Sequence, residues 1–168
     1  IIMQITPHVF CLHIDEDSAT TGGMMHPGGS NIYFVGDPNE EMLVIDTGEY
    51  YREWTRQILD FYAELGSPTI TSILITHGHT DHIGGLDRIQ AEMNCPVRCH
   101  PRLESKLSRI LGSGLVLKLR SREIIHTGGG ARVEALFTPG HEVDHVSYYL
   151  SRDRAMFTGD TVLGGSTS

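Results

Sequence analysis

The chain has 168 residues, one domain's worth and enough for a real core. It is 39% hydrophobic and 20% charged with no low-complexity tract, which excludes disordered and fibrous classes. Thirteen Lys/Arg against 21 Asp/Glu give a formal net charge of −8, so a surface that broadly coats nucleic acid does not fit, although bound cations would invert the field inside a cleft.

In chain order, Val9–Ile14 and 31–35 read as β-branched and aromatic strands, separated by the Gly/Met/Pro-rich loop 21–30. Residues 42–45 are a compact apolar strand ending at Asp46-Thr47-Gly48. Over 50–65, Trp54, Ile58, Phe61, Tyr62 and Leu65 recur at helical spacing, and Gly66 stops the helix. Residues 70–75 are apolar on both faces, as an internal strand requires. A helix over 84–93 places Leu86, Ile89 and Met93 on one side; a strand over 96–100 and a short helix over 101–111 follow.

Residues 116–127 read as one strand or two around Ile124 and Ile125. Residues 131–137 alternate as a strand that ends at Thr138-Pro139-Gly140-His141. Val146–Leu150 and Ala155–Phe157 form a hairpin with a polar tip over 151–154, its second arm ending at Thr158-Gly159-Asp160. The last residues, 163–168, read as a Gly/Ser loop with no strand or helix to close the fold. With Ile1 at the start, both ends are expected to be cut from a longer chain. The class is α+β: two sheets covered on the outside by helices, without an internal repeat or linker.

Cys11, Cys95 and Cys99 have no disulfide-framework spacing, which favours a reducing compartment. No signal peptide or transmembrane run is visible, so the expected setting is the cytoplasm, away from a membrane. No second cysteine pair completes a zinc knuckle with Cys95 and Cys99, and small thiols suit a buried strand.

The densest chemistry lies in Thr76-His77-Gly78-His79-Thr80-Asp81-His82, followed by Gly84-Gly85. Three imidazoles and a carboxylate within six residues serve no packing need; they suit divalent metals. His77 and His79 can turn toward one ion, and His141 at another strand end completes a His₃ set with an open position. Asp81 and His82 face a second ion, and Asp160 can bridge the two. Cations held ~3.5–4 Å apart lower the pKa of a shared water and polarise the scissile group.

These residues resemble the metallo-β-lactamase-fold hydrolases: Thr-His-x-His-x-Asp-His-x-Gly-Gly, then Thr-Pro-Gly-His, then Gly-Asp, with Asp46 in Ile-Asp-Thr-Gly upstream. The resemblance implies that His77, His79 and His141 bind the first metal, that Asp81 and His82 bind the second, and that Asp160 bridges them. It also implies an αβ/βα sandwich in which 1–168 is an incomplete domain, because the histidine that the family adds to the second metal after Asp160 is missing here. Gly29-x-Asn31-x-Tyr33-Phe34-Val35, Ile45-Asp46-Thr47-Gly48-Glu49, Thr138-Pro139-Gly140-His141-x-x-Asp144-His145 and Gly159-Asp160-x-Val162-Leu163-Gly164 are similar to the lactamase-β-like branch of endoribonucleases and polyketide thioesterase-like enzymes. Glyoxalase-II-like enzymes are similar over much of the same stretch.

The implied activity is zinc-dependent hydrolysis by a metal-bound hydroxide, with Asp81 also handling its proton. Two zinc ions are expected per complete domain, with iron or manganese as alternatives. Esters, thioesters and RNA phosphodiesters all suit such a centre. Arg88, Arg98, Arg102, Lys106, Arg109, Lys118, Arg120 and Arg122 crowd the middle third, as an RNA cleft or an ordinary solvated face would have them. An iron-dependent persulfide dioxygenase uses much the same histidines, whereas flavodiiron proteins typically carry a glutamate at the position of His79. A non-catalytic homologue is the remaining reading; nothing identifies a β-lactam pocket.

Four further residues are candidates around the site. Asp46 is expected to hydrogen-bond the ligand loop and fix its geometry. His145 is expected to make a structural hydrogen bond, and Asp144 either orients a histidine or forms a local ion pair. His26 lies on a Met-rich loop that borders the site or is simply a loop.

Overall fold

A computed structural model describes residues 2–15, 30–138, 143–159 and 162–164. Strands β1 (Ile2–Thr6), β2 (Val9–Ile14), β3 (Ser30–Gly36) and β4 (Glu41–Ile45) pair antiparallel. Onto β4 are added, in parallel, β5 (Thr69–Leu74), β6 (Val97–Cys99) and β7 (Val116–Lys118), completing a seven-stranded sheet in sequence order. Parallel neighbours need long crossovers. They are supplied by α1 (Arg52–Glu64), by α2 (Thr80–Ile83) with α3 (Leu86–Met93), and by α4 (Glu104–Leu111).

The second sheet is antiparallel, in the order β12-β11-β10-β9-β8. Its strands are β8 (Ile124–His126), β9 (Arg132–Phe137), β10 (Val146–Leu150), β11 (Ala155–Phe157) and β12 (Val162–Gly164).

Period-two alternation along the central strands feeds two apolar layers. Ile32, Phe34, Met42, Val44 and Ile73 face the helices, where they meet Trp54, Ile58, Phe61, Leu86 and Leu107. Tyr33, Val35, Leu43, Ile45 and Leu74 face the other sheet, where they meet Val133, Ala135, Tyr148 and Phe157. A strand such as β5, buried on both sides, has no room for the alternation of an exposed sheet, which is why it reads as a continuous apolar run. Burying Ile58 completely contributes roughly 1.5–3 kcal/mol. Cys11, Cys95 and Cys99 are free, buried thiols within these layers; burial pushes them up to about 11, 11 and 12.

Polar bonds join the two sheets. Tyr148 Oη donates to Ile75 O at 2.6 Å, and Val146 N to Thr76 O at 2.8 Å. At the opposite end Asp153 accepts from Thr6 Oγ1, from His8 N at 2.7 Å and from His8 Nδ1 at 2.8 Å. Gly128 N donates to Glu41 Oε1 at 2.6 Å.

The structure departs from the sequence reading at three places. β1 is an additional strand; it carries Met3 and Ile5 exposed on the sheet edge, so burial leaves no pattern there. The tail expected to be a bare Gly/Ser loop supplies β12, with Gly164 opposite Ala155 and Val162 opposite Phe157. Backbone pairing on the open edge of β11 overrides local composition there. Finally, a helical turn starts at Thr80 inside the histidine motif, earlier than the expected helix start at 84. Among the described residues no helix is long and apolar enough to cross a membrane.

Candidate metal centre

The parallel strands β4 and β5 deliver their carboxyl ends to the same edge, so Asp46 and Thr76 meet there. Asp46 has a left-handed backbone, φ 67°, a conformation that Asp tolerates and β-branched residues resist. Its carboxylate is 2% exposed and accepts three bonds: Thr76 N on Oδ1 at 2.9 Å, Thr76 Oγ1 on Oδ2 at 2.8 Å, and His82 Nδ1 on Oδ2 at 2.7 Å. Bonds to an ionised acceptor are strong ones.

Proton counting fixes the tautomers. The single hydroxyl proton of Thr76 goes to Asp46, so at 3.0 Å its oxygen accepts from His77 Nδ1. His77 is therefore the Nδ1–H form, with its lone pair on Nε2. His82 likewise gives Nδ1–H to Asp46. One carboxylate thus orients two imidazoles.

His77, His79 and His82 are gathered closely, with ring centroids 4.6 Å (77 to 79) and 4.1 Å (77 to 82) apart. His77 and His82 are buried, and His79 is exposed on the outer side of the cluster. Asp81 Oδ2 lies 3.3 Å from His82 Nε2. Burial opposes a charge on His82, but the charge and hydrogen bond of Asp46, with those of Asp81, outweigh it and raise the pKa to about 10. His77 is lowered to about 4 by burial, then by His82, with His79 and His145 adding and Asp46 opposing. The two carboxylates thus build a position that favours a cation, beside an imidazole kept in the neutral form that metals require.

Loop-on-loop packing holds this arrangement. His82 O accepts from both Thr47 N and Thr47 Oγ1, each at 2.9 Å. Gly48 O accepts from Gly84 N at 2.9 Å and Gly85 N at 3.3 Å. Thr80 Oγ1 donates to the buried Glu49 at 3.3 Å. A side chain at Gly84 would meet Tyr50 N and stand 2.6 Å from both Glu49 C and Thr80 O, so the glycine pair lets two backbones touch.

The second sheet adds His145, whose ring lies 5.3 Å from that of His77. Its Nε2 sits 2.8 Å from Thr158 O, and a carbonyl only accepts, so Nε2 carries the proton. Nδ1 then accepts from Thr138 Oγ1 at 2.5 Å, and Thr138 in turn accepts from Ser147 Oγ at 3.0 Å. Both His145 nitrogens are engaged with the framework.

Thr138 N also donates to His145 O at 3.1 Å, joining the two described flanks of the segment that carries His141. Gly159, which precedes Asp160, packs so closely that a Cβ there would lie 3.0 Å from His77 Cε1. His26, His141 and Asp160 lie outside the described residues. Among the described residues, no three His, Cys, Asp or Glu side chains are placed to hold a metal by themselves; the donor set read from the sequence draws on 141 and 160 as well. Asp144 borders Gly78, its Oδ2 3.2 Å from where a Cβ would be, and its Oδ1 is buried without a hydrogen-bond partner among the described residues. Lys106 Nζ, from α4, donates to Gly78 O at 3.0 Å.

Thr47, Glu49, Thr76, Tyr148 and Lys106 support the centre; the motifs contain the first three and the basic run contains Lys106, but the sequence assigns none of the five a role at the site. A hydroxyl placed between a buried apolar strand and the first motif histidine was the available signal for Thr76. Tyr148 and Lys106 had none, because their partners are backbone carbonyls distant in sequence.

Residues 25–168 match the metallo-beta-lactamase superfamily. The chain belongs to that superfamily. Over 140 residues it is 36% identical to an atrochrysone carboxyl ACP thioesterase of Aspergillus terreus, covering 83% of this chain and 41% of that protein. Over 143 residues it is 35% identical to the lactamase-like protein nscB of Aspergillus fumigatus, covering 84% and 40%. The chain therefore spans about two-fifths of the length of the curated relatives it matches.

Among solved structures it is similar to MEM-A1, a subclass B3 metallo-β-lactamase isolated from a soil metagenome library, with TM-score 0.70 and 20% identity over 89% of this chain and 56% of that one. It is also similar to the flavodiiron protein of Giardia intestinalis, with TM-score 0.75 and 18% identity over 94% and 39%. These likenesses show the fold, which is the α+β metallo-β-lactamase sandwich expected from the motifs.

Proposed function

We propose that this chain forms the metal-binding part of a thioester hydrolase that works with two zinc ions. His77, His79 and His141 would hold one ion, Asp81 and His82 the other, with Asp160 bridging. The observation that carries this reading is the shared use of Asp46: its bonds to Thr76 and His82 fix both rings with Nδ1 as donor, so that Nε2 is the nitrogen each would offer a metal, His82 giving up its Nε2 proton as the ion binds. Carboxylate-oriented imidazoles of one tautomer, beside the carboxylate of Asp81, are a donor set suited to zinc.

When bound, the two ions lower the pKa of a water and polarise the substrate carbonyl. The chain's own contribution is positional and acid–base. Asp46 holds His82 directly and His77 through Thr76. Asp81, with its side chain 18% exposed, takes a proton from the attacking water and returns it to the departing thiolate sulfur. The thioester is favoured over the phosphodiester by the 36% identity to a protein named as a thioesterase.

The test uses the full-length protein loaded with zinc, offered S-acetyl-N-acetylcysteamine and, separately, bis(p-nitrophenyl) phosphate. Thioester hydrolysis that a chelator removes and zinc restores is the expected result. Cleavage of the phosphodiester alone, or thioester turnover undiminished in metal-free protein, overturns it.

A further inference from the structure

Charge along this chain is strongly segregated. Residues 98–122 hold seven of the thirteen Lys/Arg and a single acidic residue, Glu104, leaving six basic against twenty acidic residues elsewhere. Two of the seven are neutralised: Arg98 pairs with Glu123 at 3.4 Å and Arg122 with Glu134 at 3.1 Å. The other five, Arg102, Lys106, Arg109, Lys118 and Arg120, are exposed, and among the described residues none has a carboxylate within 4 Å of its charged side-chain nitrogens, although Glu123 accepts from Arg120 N at 2.9 Å.

The topology puts Arg102, Lys106, Lys118 and Arg120 toward the edge that carries the metal centre, with Arg109 one helical turn further along α4. Parallel strands send their carboxyl ends to one edge, and the edge that begins with Asp46 after β4 and His77 after β5 continues through β6 and β7. Arg102 lies in the turn that follows β6; Lys118 ends β7 opposite Cys99, and Arg120 comes just beyond. Lys118 shares the face of β7 with Val116, which packs in the same layer as Leu103 and Leu107 of the segment carrying Arg102, Lys106 and Arg109. Arg102, Lys106 and Arg109 are spaced four and three residues apart, one helical stripe. Lys106 anchors that stripe to the histidine loop through Gly78 O. Ile110, 43% exposed, adds an apolar contact beside Arg109.

An ordinary solvated face in an acidic protein mixes signs. A face dominated by one sign, opposite to that of the whole chain and adjoining the reaction centre, steers and seats an acidic partner. We propose that this face docks an acidic acyl carrier protein that presents the scissile thioester on its phosphate-bearing arm. The proposal rests on the thioester reading above and names the surface that delivers the substrate.

The test compares zinc-loaded full-length protein with two charge-reversal variants, Arg102→Glu with Arg109→Glu and Lys118→Glu with Arg120→Glu. Two substrates carry the same acetyl group, one on a holo acyl carrier protein and one on N-acetylcysteamine. Expected is a rise of roughly tenfold or more in KM for the carrier-borne substrate, diminished at high salt, with kcat/KM for the small thioester unchanged. Binding of the labelled holo carrier, followed by fluorescence anisotropy, should weaken in parallel. Hydrolysis of both substrates with no effect of charge reversal overturns the docking surface and leaves the thioester reading standing. Carrier binding that is lost on reversal, without hydrolysis of either thioester, supports the surface and overturns the reaction. A single-stranded RNA oligonucleotide that displaces the carrier and is itself lost on reversal overturns the carrier assignment in favour of nucleic acid.

Discussion

His82 Nδ1 lies 2.7 Å from Asp46 Oδ2, and the two side chains are 4% and 2% exposed. The bond joins the end of β4 to the helical turn after β5, 36 residues further along. The same oxygen accepts from Thr76, so a single buried carboxylate governs the geometry of two strand-end loops.

Asp46→Asn removes the charge while keeping one acceptor oxygen. Zinc affinity of the full-length protein should fall about 10–100-fold, as it does when the partners that orient metal ligands are lost. Thr76→Val, which disturbs His77 but leaves the bond to His82, should cost less. Competition with a chelating dye reads both; an Asp46→Asn protein with wild-type affinity would remove Asp46 from this role.

Asp81→Asn should reduce kcat for a thioester by on the order of 10²–10⁴, the range of general acid–base contributions. Thermal stability should change little, because Asp81 sits on the partly exposed side of the turn and not in the core. Comparable losses of turnover and stability would assign Asp81 a structural part instead.

Gly84→Ala should destabilise the fold by about 1–3 kcal/mol, the usual cost of overpacking where backbone must move. Its added methyl meets Glu49 C and Thr80 O at 2.6 Å. Because the displaced backbone carries Thr80 and His82, the same variant should bind zinc more weakly. Urea unfolding and dye competition on one preparation measure the two effects; a stable variant with weakened zinc would mean the loop yields without the core.

Asp153 sets an acid limit on stability. Burial alone would raise its pKa, but the bonds from Thr6 and His8 and the charge of the His8 ring hold it below the ordinary carboxylate value. A folded-state pKa below the unfolded value of about 3.9 contributes stability that is present above that value and lost as pH falls through the folded one. The urea midpoint of the wild type should therefore decline below about pH 5, whereas Asp153→Asn should start lower at pH 7 and decline less. Parallel curves would show that the tie between the β1–β2 turn and the β10–β11 turn does not depend on charge.

The elements that bury apolar side chains at regular spacing were legible. Residues 42–45 and 70–75 were read as strands and are β4 and β5; the helical spacing of Trp54, Ile58 and Phe61 gave α1. β1 was not, because Met3 and Ile5 are exposed on an edge, nor was β12, whose pairing depends on a neighbour and not on its own residues. At the site, the density of histidines around Asp81 was visible in the letters. The relay from Asp46 through Thr76 to His77 was not, since it depends on where one hydroxyl proton points. Bonds such as Tyr148 to Ile75 O, 73 residues apart, leave no local trace.

The left-handed backbone at Asp46 makes the position a natural separation of variables. Asparagine shares the tolerance for φ 67° and differs from the native residue mainly in charge; glycine supplies the conformation with no side chain; alanine removes the carboxylate and strains the turn as well. Comparing the three substitutions assigns separate shares of any defect to charge, hydrogen bonding and backbone shape, three quantities that deletion to alanine elsewhere in a protein confounds.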